Sequence, residues 1–272
     1  VNDALDNPLA TLNWLVEAGA DEAVADAPVD RLVAKAPAPQ MPAPTSVPRP
    51  APARAPAPVP LADDAIGGAM AAAAAATSLA ELRCALEAFD GCALKRTATN
   101  TVFADGIAEG GVMLIGEAPG RDEDRIGKPF VGRAGQLLDK MLASISLDRK
   151  TNAYITNVIN WRPPDNRDPA PEEAAACLPF LRRHIELANP GLIILLGAVA
   201  ARHVVGISDG IMKLRGRWLE YRVGDRMVPL LPTLHPAYLL RQPAHKKLAW
   251  RDLQAAREKM RVLGLPRQGD AQ

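Results

Sequence analysis

The stretch GEAPGRDEDRIGKPFVGRAGQLL, Gly116 to Leu138, holds five glycines, two prolines, an acidic cluster and one phenylalanine, Phe130. Glycines of this kind let a backbone come close to a ligand. Two further pieces carry reactive side chains: Asn157 in ITNV and His235 in LHPAYLLR. Singly, each has a plain structural reading as a turn, a strand-end cap or a histidine before proline. Together, a glycine-rich backbone, an amide, an imidazole and an aromatic ring suit a planar heterocycle with hydrogen-bonding edges. The glycine stretch is neither G-x-x-x-x-G-K-[ST] nor G-x-G-x-x-G, which argues against a nucleotide-phosphate cradle.

These groups converge only if the right elements carry them. Four apolar runs read as buried strands: Val112 to Ile115, Tyr154 to Ile159, Leu192 to Leu196 and Val228 to Leu234. Helical patterns alternate with them, at Gly132 to Ser146, Pro171 to Leu187 and Ala244 to Leu263. Such alternation implies an α/β fold, a three-layer α/β/α sandwich around a four-stranded parallel sheet. Ligands in that architecture bind beyond the carboxyl ends of the strands. Gly116, Asn157 and His235 all fall there.

The rest of the chain sets boundaries. Residues 36–78 begin with alternating Ala and Pro and are expected to be a disordered linker. It separates a short acidic segment, 1–35, from a domain at 79–265, with a tail at 266–272. In the first segment Asn7 caps and Pro8 opens an expected amphipathic helix with Leu9, Leu12, Leu15 and Val16 on one stripe. That helix either docks on a partner or folds back on the domain. The net charge of +1 hides a basic half: Val199 to Arg267 has fourteen Lys/Arg against five Asp/Glu. A basic face invites a polyanion, although a solvated helix face has the same composition. No apolar run reaches the roughly 18 residues of a membrane span, and no signal-peptide pattern is visible, so a soluble, cytoplasmic chain with no membrane contact is expected; a monomer is the expected assembly. Three cysteines with no CxxC pair argue against a disulfide framework.

GEAPGRDEDRIGKPFVGRAGQLLDKML, YITNVINWRPPDNRDPAPEEAAAC and LPTLHPAYLLR, in that order, resemble the successive motifs of the family 4 uracil-DNA glycosylases. The resemblance spans about Leu79 to Leu263. It implies an enzyme of base excision repair that flips uracil out of single- or double-stranded DNA and hydrolyses its N-glycosidic bond. By that likeness Gly116, Ala118, Gly120, Phe130 and Asn157 would bind uracil, and His235 would stabilise the leaving base. Pro236, Leu239, Leu240 and Arg241 would enter the DNA, with the two leucines as wedge. Many related glycosylases have Asp or Asn where this chain has Ala118, so the water-orienting carboxylate would be Glu117, alone or shared with Glu123. Asp122 and Asp124 read equally as loop charges or caps.

The resemblance also implies a [4Fe-4S] cluster on four cysteines, and here the chain departs from it. Cys92 and Cys177 match two ligand positions, whereas Phe89 and Trp161 occupy the others. Two thiolates do not hold such a cluster, and the expectation is an enzyme with no cofactor. Two alternatives stay open: a lesion-binding relative with little turnover, and a glycosylase broadened to other deaminated bases.

Overall fold

The computed structural model describes residues 62–267. The amphipathic helix expected near Asn7, the rest of the chain through residue 61, and residues 268–272 lie outside them. In chain order the elements are α1 (Ala62–Ala75), α2 (Leu79–Ala88), β1 (Ala104–Gly106), β2 (Val112–Gly116), α3 (Arg121–Ile126), α4 (Arg133–Ala143), β3 (Ala153–Asn157), α5 (Pro171–Ala188), β4 (Leu192–Leu196), α6 (Ala198–Val205), α7 (Ile211–Leu214), β5 (Leu219–Val223), β6 (Arg226–Thr233), α8 (Pro236–Arg241) and α9 (Lys246–Leu263).

Apolar continuity makes the central strands. VMLIG in β2, AYITN in β3 and LIILL in β4 are buried along their whole length, as strands covered on both faces must be. The six-stranded sheet has the order β1-β3-β2-β4-β6-β5. Its middle four strands are parallel, as the alternation predicts, and each edge adds an antiparallel strand, β1 on β3 and β5 on β6. Both edge strands fall outside the sequence expectation. The first has three residues, and the second, LEYRV, is only partly buried along most of its length.

Alternate residues of each strand supply two cores. Met113, Ile115, Ile193 and Leu195 face Phe180, Leu181 and Ile185 of α5. Val112, Leu114, Ile194 and Leu196 face Leu138 and Leu142 of α4 and Leu253, Ala256 and Met260 of α9. This is the period of two that places successive side chains on opposite sheet faces.

Helix α1 corrects the expected linker at 36–78, because its last part is folded. Ala65, Ala69 and Ala73 are buried at four-residue steps, so one small-residue face lies against α5. At the other end, the Arg267 backbone N–H donates to the Gly110 carbonyl at 2.9 Å, which ties the start of the expected tail to the turn before β2. No helix of the described residues is long and apolar enough to cross a membrane.

Candidate active site

The parallel strands end together on one side of the sheet. On the last rung Gly116 lies opposite Asn157, and Leu196 lies opposite Thr233. The segments that follow these strands enclose a cavity of about 340 Å³, lined among others by Glu117, Ala118, Gly120, His235 and Arg241. Of the sequence-predicted residues, Glu117, Ala118, Gly120, His235 and Arg241 line this cavity, whereas Gly116, Phe130 and Asn157 do not line it and pack against one another.

Asn157 is 2 % exposed, and its side-chain Oδ1 has no hydrogen-bond partner. A buried acceptor without a partner costs about 1–3 kcal/mol, so this oxygen is suited to accept from a donor on a ligand. Gly116 makes room for this arrangement. A Cβ there would meet Asn157 Oδ1 and would lie 2.6 Å from the Phe130 ring, too close for any side chain.

Phe130 is 6 % exposed and has φ 53, a left-handed backbone that a bulky residue adopts only under constraint. Strain of this kind costs on the order of 1–3 kcal/mol and must be held by its surroundings. Its ring centroid lies 5.5 Å from that of His235.

His235 ends the segment after β6 and caps α8. Its Nδ1 accepts a hydrogen bond from the Ala237 backbone N–H at 3.1 Å. That acceptor role fixes the tautomer: the ring proton sits on Nε2, which remains a donor. Burial, helped by the nearby Arg241 charge, pushes the imidazole pKa down to about 4. The ring is therefore neutral at physiological pH, a hydrogen-bond donor with no net charge.

Glu117 lines the cavity. Burial pushes its carboxyl pKa up, and Asp168 pushes it further, while Arg202 opposes them. Glu123 occupies a different position. Its Oε1 accepts from the Val131 and Gly132 backbone N–H groups, both at 2.9 Å, and its Oε2 accepts from Gly120 N–H at 3.1 Å. These bonds make it a brace of the glycine loop. Asp124 is buried and accepts from the backbone of Thr99 and Asn100, and Asp122 is exposed beside Arg125.

The two expected wedge leucines separate. Leu239 is 1 % exposed and belongs to the core beneath α8 and α9, whereas Leu240 is 39 % exposed. Neighbours on a helix point about 100° apart, which here puts Leu239 on the core side of α8 and Leu240 on its exposed side. Pro236 is buried as the first residue of α8, and Arg241 in its last turn reaches the cavity.

The sequence reading passed over the loop between β3 and α5. Pro163, Asn166, Arg167 and Asp168 also line the cavity. Asp165 and Asn166 both have positive φ, and Arg167 grips Glu173 through two bonds at 2.6 and 2.8 Å. The signal was present, since this loop follows a parallel strand at its carboxyl end.

In the core shared with α5, Cys92 and Cys177 are buried and close enough to perturb one another. Cys177 holds the Cys92 thiol below its usual range, while Cys92 and burial push Cys177 up. Phe89 packs on Phe180 with ring centroids 5.1 Å apart. Trp161 is fully buried and donates its indole N–H to Thr101 Oγ1 at 3.0 Å. Among the described residues, no three His, Cys, Asp or Glu side chains are grouped to hold a metal ion.

Comparison with known proteins points the same way as the site. The family model described as the uracil DNA glycosylase superfamily matches residues 103–254. A type-4 uracil-DNA glycosylase of Thermotoga maritima is 40 % identical over 169 residues, covering 61 % of this chain and 86 % of that protein. One of Archaeoglobus fulgidus is 43 % identical over 156 residues, 56 % of this chain and 78 % of that protein. Another, of Pyrobaculum aerophilum, is 39 % identical over 168 residues, with 60 % and 85 % covered.

Proposed function

Since the chain belongs to the uracil DNA glycosylase superfamily and is similar to its type-4 members over most of their length, we propose that it excises uracil from DNA as a repair hydrolase. The observation that carries this reading is the unpartnered Asn157 Oδ1 beside Phe130. A uracil edge presents N3–H as donor and O4 as acceptor. An amide satisfies both, whereas cytosine presents the opposite pattern and leaves the buried amide mismatched.

The reaction follows from the same groups. DNA binds through its phosphates, and the uracil nucleotide rotates out of the stack. Leu240 fills the space it leaves, and Arg241 approaches the backbone. The extruded base stacks on Phe130, a contact worth roughly 1–3 kcal/mol for bases on aromatic rings.

As the bond between N1 and C1′ breaks, its electron pair enters the uracil ring. Neutral His235 donates Nε2–H to O2, where that charge accumulates, so the bond strengthens as the transition state forms. Water adds to C1′ from the opposite face. Glu117 orients it, accepts its proton and stabilises the cationic sugar. Glu123 does not share this role, because its oxygens are engaged by the loop.

The cysteine positions support a cluster-independent enzyme. A [4Fe-4S] cluster takes four thiolates, whereas this site offers two thiols, a phenylalanine ring and an indole whose N–H is already bonded. These residues do not fit the group, and no step of the reaction needs it.

The test is incubation of the full chain with a labelled oligonucleotide bearing one deoxyuridine, followed by alkaline cleavage at abasic sites, with and without prior chelator treatment. Multiple turnovers insensitive to chelator, absent on a cytosine control and lost in His235→Ala are expected. Tight binding to the uracil strand with no cleavage would overturn the enzymatic reading in favour of a lesion-binding protein.

A further inference from the structure

The loop that presents Phe130 runs from Gly127 to Gly132, between α3 and α4, and opposite charges grip it from two sides. On its amide side, Glu123 Oε1 takes the N–H groups of Val131 and Gly132. On its carbonyl side, Arg149 Nη1 donates to the Pro129 carbonyl at 3.0 Å, and Arg149 Nη2 donates to the Phe130 carbonyl at 2.8 Å. Arg149 comes from the turn between α4 and β3, far from the strand-end motifs in sequence.

Its guanidinium has little else it could do. The side chain is 13 % exposed. Nε donates to Asp139 at 2.8 Å, and Nη1 also reaches Asp105 on the edge strand β1 at 3.2 Å. Nη2 lies 2.7 Å from the same Asp139 oxygen. All three nitrogens are engaged within the protein, so the fork is aimed at the loop backbone and not at DNA. The two carboxylates, of which Asp105 is shared with Lys128 Nζ at 2.9 Å, offset its charge and fix its plane, and a planar fork of this kind holds two acceptors at set positions where an ammonium holds one. Gly135 leaves space for the same carbonyl, since a Cβ there would collide with Phe130 O.

We propose that Arg149 and Glu123 form a pair of positioning residues that clamp the Phe130 loop in its left-handed conformation and so set the ring against which the base is held for reaction. The clamp rests on the assignment of Phe130 as the stacking residue. Its polar atoms are engaged within the protein, so it acts on the chemical step through Phe130 and leaves DNA affinity alone. A reacting base displaced by a fraction of an ångström to an ångström loses rate steeply.

The test uses the full chain and single-turnover kinetics on the deoxyuridine oligonucleotide. Arg149→Lys keeps the ion pairs with Asp105 and Asp139 but cannot serve both carbonyls. It should lower the saturating rate by about tenfold or more, while half-saturation by DNA moves by less than about twofold. In a Phe130→Leu background the same substitution should cost almost nothing, because residues acting as one unit are not additive. Equal losses in both backgrounds, or weaker DNA binding at an unchanged rate, would overturn the clamp and leave Arg149 a general brace. Hydrogen exchange gives a readout independent of activity: amides of residues 128–135 should exchange faster in Arg149→Lys, and unchanged protection there sinks the proposal. If wild type released no uracil, the enzymatic reading would fall and exchange alone would decide the clamp. Should Arg149→Lys not fold, Glu123→Gln loosens the loop from its other side, with the same dependence on Phe130 expected and additivity again overturning it.

Discussion

Gly116 and Asn157 face each other on the last rung between β2 and β3, where the glycine's missing side chain leaves the space that the asparagine amide and the Phe130 ring occupy. On the proposed reading, the pocket for the base is thus a product of strand register. A shift of one residue would turn Asn157 to the other sheet face.

Asn157 should separate stability from activity. Asn157→Ala removes a buried acceptor that has no partner, so thermal unfolding should show equal or slightly higher stability, by up to about 1 kcal/mol. Uracil release in a single-turnover assay should fall by roughly two to three orders of magnitude. A large loss of stability would mean that the amide is satisfied in the free enzyme.

The pH profile should show one acid limb, set by Glu117. Its carboxyl is raised above the ordinary carboxylate value by burial and by Asp168, and it must be ionised to orient water, so activity is lost as pH falls through that raised value. His235, held near 4, is already neutral across the working range and should add no limb between about pH 6 and 8. Glu117→Gln should abolish the acid limb along with most of the rate; a limb near pH 6.5 lost in a His235 variant would contradict the neutral-donor role.

Leu239 and Leu240 should behave differently despite being neighbours. Leu239→Ala opens a hole in the core and should destabilise by about 2–5 kcal/mol in denaturant unfolding. Leu240→Ala should leave unfolding unchanged and slow uracil release from duplex DNA more than from single strands, where there is no stack to fill. Matching effects on both substrates would remove Leu240 from the wedge.

Trp161 should be a structural residue of the first importance. Trp161→Ala should cost about 3–5 kcal/mol by loss of burial, with its partner Thr101 left unpaired. Thermal unfolding of wild type should not change on chelation or reduction, and a transition sensitive to either would argue for a bound metal.

Much of this site was legible in the sequence because it lies at strand ends, where apolar runs stop and special residues begin. Gly116, Asn157 and His235 needed only that pattern to be placed together. Arg149 and the Pro163–Asp168 loop did not announce themselves, since their roles come from tertiary neighbours with no periodicity to reveal them. The edge strands were hidden by brevity and partial exposure. Helix α1 was hidden by composition: an alanine-rich run after a proline-rich one reads as more linker until α5 is there to pack against.

The aromatic packing around Phe89, Phe180 and Trp161 bears on where such an enzyme can work. On the reading proposed above, the chain matures as soon as it folds, without waiting for iron delivery or a cluster-assembly scaffold. Oxidants and iron starvation, which dismantle clusters while deamination of cytosine continues, would then leave its repair capacity intact.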